Sequence, residues 1–230
     1  MYVISDYTKK YVSGRIIMSE HEKLKIFDDH RNHIGVASRS EVHRLGLWHE
    51  VFHCWFISND EGVDYIYLQL RSKSKKDYPD LLDITAAGHL LADETVLDGV
   101  REIEEEIGVS VDFDELISLG EIRYQVTKEG FIDKELANVF LYKSEYTFDD
   151  FTLQSEEVAG IVKAKFTDFA QLWLGEKNEI EINGFEITDE GEKCTIRKHV
   201  SRDKFVPHEV SFYKEVIRNL QEHCFDRIGG

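Results

Sequence analysis

The sequence has little cysteine and little proline, and both shortages narrow the classes of protein it encodes. Its 230 residues include three cysteines, which are too few and too widely spaced for a disulfide framework or a paired-cysteine metal site. Two prolines and no low-complexity run leave no obvious linker between domains. We therefore expect a reduced, cytoplasmic protein that forms one domain with additions.

Positive charge is also scarce, with 28 Lys and Arg against 45 Asp and Glu and a formal net charge of −17. This balance disfavours binding to nucleic acid or to anionic membranes through bulk electrostatics. No stretch is long and apolar enough to span a membrane, and the N-terminus lacks a secretory apolar region. We expect neither nucleic acid nor a membrane as a partner. A polyphosphate ligand would need a local basic cluster.

Alternating and apolar runs predict strands over residues 23–28, 50–58, 63–70, 81–86, 116–126, 131–142 and 154–166. The strands over 116–126 and 131–142 are predicted to form a long hairpin that turns at residues 128–130. Short helices are predicted near residues 40–45 and 168–174. Asn183-Gly184 is the clearest two-residue hairpin signal and predicts a turn there. Pro207 is expected in the first turn of a final helix.

The stretch Ala87–Val109 contains the most informative pattern. Read as a helix, it presents one apolar stripe toward a core. Thr95 and Asp98 are expected to cap its start, and Gly108 is expected to end it in a left-handed conformation. The apolar stripe consists of Val96, Val100, Ile103 and Ile107.

Three glutamates share a second face of this predicted helix. Glu102, Glu105 and Glu106 stand at positions i, i+3 and i+4, so their carboxylates lie within one turn of one another. Such carboxylates repel, and a hard divalent cation bound through oxygen would offset the repulsion. The alternative is a solvated acidic face on a surface helix.

A basic segment directly precedes this stretch. Arg71, Lys73, Lys75 and Lys76 are clustered in an otherwise acidic chain. Arg71 is the best candidate for a phosphate contact because its planar guanidinium matches phosphate geometry. The alternative is a solvated lysine-rich loop.

The glycine, glutamates and arginine of Ala87–Val109 together resemble the signature of the Nudix hydrolases. The matching positions are Gly88, Glu94, Arg101-Glu102-Ile103, Glu105-Glu106 and Gly108-Val109. The family pattern has seven residues between the first glutamate and the arginine, whereas this chain has six. We favour a deletion after Glu94. The alternative alignment places Ala87 and Asp93 in the two upstream positions.

The resemblance implies the Nudix fold, an α/β/α sandwich with a mixed sheet, here with an extra C-terminal β-hairpin and helix. We expect an N-terminal extension over residues 1–22, the Nudix domain over 23–175, and the added hairpin and helix over 176–230 packed on the same domain. Met18 is an alternative start.

The resemblance also implies hydrolysis of a diphosphate linkage in a nucleoside diphosphate linked to another group, or in a similar organic diphosphate, with Mg²⁺ or Mn²⁺ as cofactor. Glu105 and Glu106 would bind the metal, and Glu102 would be a further ligand or would orient the water. Arg101 would brace these carboxylates. Glu157 would complete the metal site or act as base, with Glu156 as the alternative. The expected substrate contacts are Arg71, Lys75 and Gly88, and a homodimer is left open.

Further passages resemble the Nudix subgroup related to isopentenyl diphosphate isomerase: Val42-His43-Arg44 with Trp48-His49, Leu68–Ser72, Thr85–His89 and Leu153–Val158. The isomerase holds a metal with histidines and carboxylates, which His43, His49, His89, Asp133 and Glu135 match in part. The isomerase has a catalytic cysteine where this chain has Ala86. The isomerase also lacks the complete glutamate box, which is intact in this chain. An isomerase and a non-catalytic diphosphate-binding module are the alternative functions.

Overall fold

The computed structural model describes residues 22–224, which form one eleven-stranded sheet flanked by helices. The N-terminal extension, except for residue 22, and Met18 lie outside the described residues. The strands are β1 (Lys23–Phe27), β2 (His33–Ser38), β3 (Trp48–Asp60), β4 (Val63–Arg71), β5 (Leu82–Asp83), β6 (Ala86–His89), β7 (Ile117–Lys128), β8 (Phe131–Lys143), β9 (Val158–Lys165), β10 (Glu179–Ile187) and β11 (Lys193–Ser201). Within the described part of the chain, the α-helices are α1 (Arg39–Leu45), α2 (Arg101–Ile107), α3 (Phe166–Leu174) and α4 (Val210–Cys224).

Strand β3 organises the sheet because it pairs with four other strands along its length. It pairs antiparallel with β1, β4 and β6, and parallel with β8 from Trp48 to Ile57. Strands β7 and β8 form the long hairpin that the sequence predicts. The parallel pairing of β3 with β8 makes the sheet mixed, as expected.

The two faces of the sheet bury separate hydrophobic clusters. One cluster contains Ile103 and Ile107 from α2 and packs against Phe52 and Phe140 of the sheet. The other contains residues of α3 and α4 around Trp55. Because helices cover both faces, the α/β/α sandwich is confirmed.

The predicted turn at Asn183-Gly184 is wrong. Strand β10 runs straight through both residues, and the hairpin with β11 turns at residues 188–192. A Cβ on Gly184 would lie 2.1 Å from the carbonyl oxygen of Ile161 on β9. The glycine therefore permits close approach of two strands, which is the other common use of glycine inside a sheet.

The final helix begins later than predicted. Pro207 precedes it, and α4 starts at Val210, which is exposed. Its core-facing residues are Phe212, Tyr213, Val216, Ile217 and Leu220. The helix contacts α3 and β7, so the C-terminal segment shares the main core. Among the described residues, no helix combines the length and apolar character needed to cross a membrane.

Candidate active site

Helix α2 is entered through a short 3₁₀ turn, Asp98–Val100, rather than directly. The backbone N–H and Oγ1 of Thr95 donate to Asp98 Oδ2 at 2.8 and 2.7 Å, so the predicted pair forms just before this turn. Within residues 22–224, no side chain caps the turn or the helix, whose N-cap residues are Leu97 and Val100. Gly108 ends the helix with φ 72° and ψ 18°, in the left-handed region, as expected.

The three glutamates of the box lie at different depths. Glu106 is 6% exposed because it lies on the side of the helix that faces the core. The side chain of Glu102 is 13% exposed, and that of Glu105 is 39% exposed. The helix thus holds two carboxylates inside the protein and the third at its edge.

Arg101 contacts several of these acids at once. Its Nε and Nη2 donate to the two carboxylate oxygens of Glu94 at 2.5 and 2.9 Å. Its Nη1 donates to Glu102 Oε1 at 2.6 Å and lies 3.5 Å from Glu105 Oε2. Its Nη2 also donates to the carbonyl of His89 at 3.1 Å. The guanidinium therefore holds the carboxylates of Glu94, Glu102 and Glu105 in place.

Strand β6 lies directly against the buried pair. The backbone N–H of Ala87 and Nε2 of Gln69 donate to Glu106 Oε2 at 3.0 and 3.2 Å. A Cβ on Gly88 would lie 2.1 Å from Cδ of Glu102. A side chain at position 88 would therefore occupy the space of the carboxylate.

The buried pair is electrostatically unfavourable in the absence of a cation. Burial, with Glu105 as a nearby like charge, raises the pKa of Glu102 to about 7, although Arg101 opposes the rise. Burial and the charge of Glu102 raise the pKa of Glu106 to about 8. Carboxylates whose ionised form is disfavoured in this way indicate a candidate functional site suited to binding a cation.

Glu157 approaches this pair from a different part of the chain. It ends a turn before β9, which begins at Val158 rather than at the predicted Gln154. Its carboxylate accepts a hydrogen bond from Lys75 Nζ, and its charge acts on Glu106. Burial works against ionisation of Glu157, but Lys75 prevails and lowers its pKa. Glu156 is exposed.

Arg71 is engaged within the protein. Its Nη1 donates to Asp83 Oδ2 at 2.8 Å, its Nε to the carbonyl of Tyr78 at 3.1 Å and its Nη2 to the carbonyl of Asp77 at 2.9 Å. The phosphate contact of Arg71 stays a prediction, but these contacts favour a different role, the bracing of the loop that follows it. Lys75 lies on that loop.

The histidines of the sequence analysis form a second cluster. Ring nitrogens of His43, His49 and His89 lie within 4.8 Å of one another, and those of His49 lie within that distance of carboxylate oxygens of Asp133 and Glu135. The Nε2 atoms of His43 and His49 lie 3.4 and 3.5 Å from Asp133 Oδ1, and Nε2 of His89 is buried without a hydrogen-bond partner. Burial lowers the pKa of His49 to about 4 and that of His89 well below its usual value.

Comparison with known proteins gives consistent results. Residues 47–188 match the family described as NUDIX domain. An uncharacterized Nudix hydrolase of Clostridium acetobutylicum is 34% identical over 203 residues, which is 88% of this chain and 98% of that protein. An isopentenyl-diphosphate Delta-isomerase of Corynebacterium diphtheriae is 30% identical over 152 residues, covering 63% of this chain and 79% of that protein. A crystal structure from Deinococcus radiodurans has a TM-score of 0.50 at 18% identity, covering 67% of this chain and 90% of that one.

The chain belongs to the Nudix hydrolase family. It is therefore a pyrophosphohydrolase-type enzyme, and helix α2 with its preceding loop is its Nudix box. Because Glu94 reaches Arg101 with both oxygens, the contacts support the alignment of the Nudix box through Gly88 and Glu94, with one residue deleted before the arginine.

Residues outside the Nudix box also surround the site, although the sequence alone did not predict a role for them. Gln69 donates to Glu106 from a buried position on β4, where a polar residue in an apolar strand was the available signal. Asp83 holds Arg71 and also contacts His208. No local pattern marks Asp83 and His208 as partners, because 125 residues separate them.

Proposed function

We propose that the Nudix box of this protein hydrolyses a diphosphate linkage in a nucleoside diphosphate derivative or a similar small organic diphosphate, with Mg²⁺ or Mn²⁺ bound. The observation that supports this most directly is the buried pair Glu102 and Glu106 under Gly88, whose pKa values are both raised. Two buried carboxylates that resist ionisation are suited to a hard divalent cation, which prefers oxygen ligands.

The residues present fit such a cation. Glu102 and Glu106 would hold it from inside the protein, Glu105 from the edge of the helix, and Glu157 from the turn before β9. A bound divalent cation supplies a water of lowered pKa and neutralises charge on the phosphoryl oxygens. Arg101 keeps the helix carboxylates in place through its contacts with Glu102 and Glu105.

Glu157 has two candidate roles in the reaction, metal ligand and proton acceptor. Because Lys75 lowers its pKa, the carboxylate is ionised at neutral pH and is available for either role. Lys75 would also present its charge to a substrate phosphate at the same place. In a chain of net charge −17, this local cation would counter the long-range repulsion of an anionic substrate.

The histidine cluster fits a second, softer cation. Neutral imidazoles are good ligands for borderline metals such as Zn²⁺. The lowered pKa values of His49 and His89 keep both imidazoles neutral at neutral pH. The buried Nε2 atoms of the three histidines, together with Asp133 Oδ1, are the ligand atoms that such a metal would use. His89 would belong to this site through its ring, while its carbonyl binds Arg101 of the Nudix box.

This histidine cluster is the observation that favours the second candidate function, isopentenyl diphosphate isomerisation. Against it, β6 carries Ala86 and Ala87 and offers no thiol.

Tyr124 lies sixteen residues past Gly108, a position that resembles that of a tyrosine in the Nudix members that cleave dinucleoside polyphosphates. It is buried and donates to Glu135. Its hydroxyl is therefore engaged inside the protein, and Tyr124 gives no support for a dinucleoside polyphosphate as the substrate.

Cleavage of a panel of nucleoside diphosphate derivatives and prenyl diphosphates, with and without Mg²⁺, tests the proposal. The products to measure are two phosphomonoesters from each nucleoside diphosphate derivative, and orthophosphate with a prenyl monophosphate from each prenyl diphosphate. Glu106→Gln should abolish Mg²⁺-dependent hydrolysis, whereas Glu104→Gln, on the exposed side of the same helix, should not. Uptake of deuterium from solvent into isopentenyl diphosphate, without hydrolysis of any panel member, would instead establish the isomerase. Binding of panel members without turnover would establish a binding module.

A further inference from the structure

The C-terminal segment reaches the edge of the site through a short strap, residues Phe205–His208, between β11 and α4. Phe205 forms a bridge with Leu82, and the N–H of Val206 donates to the carbonyl of Leu82 at 2.9 Å. The hydroxyl of Tyr213 on α4 donates to the carbonyl of Val206 at 2.8 Å. The strap is thus fixed to β5 on one side and to α4 on the other.

His208, at the end of the strap, makes a polar contact with Asp83 of β5. Its Nε2 lies 3.0 Å from Asp83 Oδ1, while Asp83 Oδ2 accepts from Arg71 Nη1 at 2.8 Å. All three side chains are at least 86% buried, with exposed fractions of 9%, 6% and 14%. His208 donates the proton here, because the Asp83 carboxylate can only accept.

Arg71 links Asp83 to the basic loop, residues 72–80. Its other donors bind the carbonyls of Tyr78 and Asp77. These contacts hold a strained backbone, because Tyr78 and Asp80 have φ values of 52° and 58°, in a region that non-glycine residues rarely adopt. Such conformations persist only where the surroundings impose them.

The opposite side of the loop lies against the candidate active site. The N–H of Ser72 donates to the carbonyl of Glu157 at 2.9 Å, and Lys75 Nζ binds the carboxylate of Glu157. The position of Lys75 beside the box carboxylates therefore depends on the shape of the loop. That shape is held from behind by Arg71, Asp83 and His208.

We propose that His208, which lies outside the matched Nudix residues 47–188, is a positioning residue that fixes the basic loop through Asp83 and Arg71 and so places Lys75 at the site. The consequence for substrate binding rests on the proposed function. The positioning of the loop does not.

Limited trypsin digestion of the native full-length protein measures the loop directly, because Lys73, Lys75 and Lys76 are cleavage sites within it. His208→Phe keeps a ring among Tyr124 and Phe212 but removes the donor. Cleavage within the loop should become about tenfold faster, the scale of one lost hydrogen bond to a charged group. His208→Gln, which keeps a donor, should stay within about twofold of the wild type.

Val216→Ala is the matched control. It removes a buried side chain from α4, the helix that follows the strap, and keeps the donor of His208. If loop cleavage is no faster in His208→Phe than in Val216→Ala, the positioning role is overturned. If His208→Phe does not fold, Arg71→Lys tests the same link, because a lysine cannot bind Asp83 and both loop carbonyls together. Unchanged loop cleavage in Arg71→Lys would likewise overturn the proposal.

Kinetics separates this proposal from the proposed function. With a panel member that the wild type hydrolyses, His208→Phe should raise KM about tenfold and change kcat by less than about twofold, because Lys75 would contribute to binding. Faster loop cleavage in His208→Phe, with no panel member hydrolysed by the wild type, would support the positioning role and refute the function. If the wild type hydrolyses a panel member and His208→Phe changes neither KM nor loop cleavage, the function is supported and the positioning role is refuted.

Discussion

A side chain at position 88 cannot coexist with the carboxylate of Glu102 in its present place. A Cβ on Gly88 would lie 2.1 Å from Cδ and 2.3 Å from Oε1 of Glu102. Contacts under 3.0 Å force one partner to move. The glycine that begins the Nudix box therefore makes room for one of its candidate metal ligands, and it requires no special backbone conformation to do so.

The first prediction concerns this contact. Gly88→Ala should displace Glu102 and weaken Mg²⁺ binding by about tenfold or more, on the scale of one lost charged ligand contact. Calorimetric titration with Mg²⁺ measures the affinity. Glu102→Asp, which is one methylene shorter, should restore part of the affinity when combined with Gly88→Ala. Equal affinities in wild type and Gly88→Ala would show that Glu102 is not a ligand.

The second prediction concerns pH. Because the folded-state pKa of Glu106 is about 8 and its ordinary value is 4.5, the folded protein binds the proton more tightly than the unfolded chain. The stability contributed by this proton is complete below pH 4.5 and is lost as the pH rises through about 8. Ionisation of Glu106 should thus destabilise the metal-free fold by a few kcal/mol at pH 8 or above, since one pKa unit is worth about 1.4 kcal/mol.

Urea denaturation of the metal-free protein tests this linkage. Glu106→Gln mimics the protonated acid, so it should be more stable than the wild type at pH 8.5 and nearly equal to it at pH 5. Added Mg²⁺ should stabilise the wild type more at the higher pH, where protons no longer compete with the metal. A stability difference independent of pH would contradict the raised pKa.

The box could be read from the sequence because its geometry is local. Glu102, Glu105 and Glu106 lie within five residues on one helix, and the left-handed end at Gly108 is set by the same turn. The long β7–β8 hairpin was predicted for the same reason, since the two strands adjoin in sequence and alternate cleanly. Local patterns specify local structure well.

Features that depend on distant parts of the chain could not be predicted. Asn183-Gly184 fits a tight turn locally, and only the carbonyl of Ile161 shows why the glycine is there. Arg71 reads as a free phosphate ligand until Asp83 and the loop carbonyls are placed around it. The sequence does not reveal either set of contacts for one physical reason, which is that tertiary neighbours decide between two local uses of the same residue.

The third prediction separates the two candidate metal sites. If the histidine cluster and the Nudix box bind different cations, then His49→Gln should weaken Zn²⁺ binding and leave Mg²⁺ binding intact. Glu106→Gln should do the opposite. Calorimetry of both variants with each cation gives four affinities. Loss of both metals in both variants, in folded protein, would show that a single site is shared.

The fourth prediction concerns the stability contributed by Asp83. Burial alone would raise its pKa, but the hydrogen bond and charge of His208, together with Arg71, lower the pKa well below the ordinary value of 3.8. A depressed pKa means that the carboxylate stabilises the fold above pH 3.8, and that this contribution is lost as the pH falls through the folded-state value.

Asp83→Asn should therefore lower the free energy of unfolding at pH 7 by about 3–5 kcal/mol, because it leaves Arg71 buried without its counter-charge. The difference from wild type should shrink below pH 3.8, where the unfolded-state carboxylate is protonated. Asp168→Asn, which removes a carboxylate paired with Lys177 nearer the surface, is the control and should cost less than about 1 kcal/mol.

In combination with His208→Phe, the effect of Asp83→Asn should be smaller than it is alone, since the two residues contact each other. Strict additivity of the two changes would mean that Asp83 is held by Arg71 alone and that the strap contributes nothing to it.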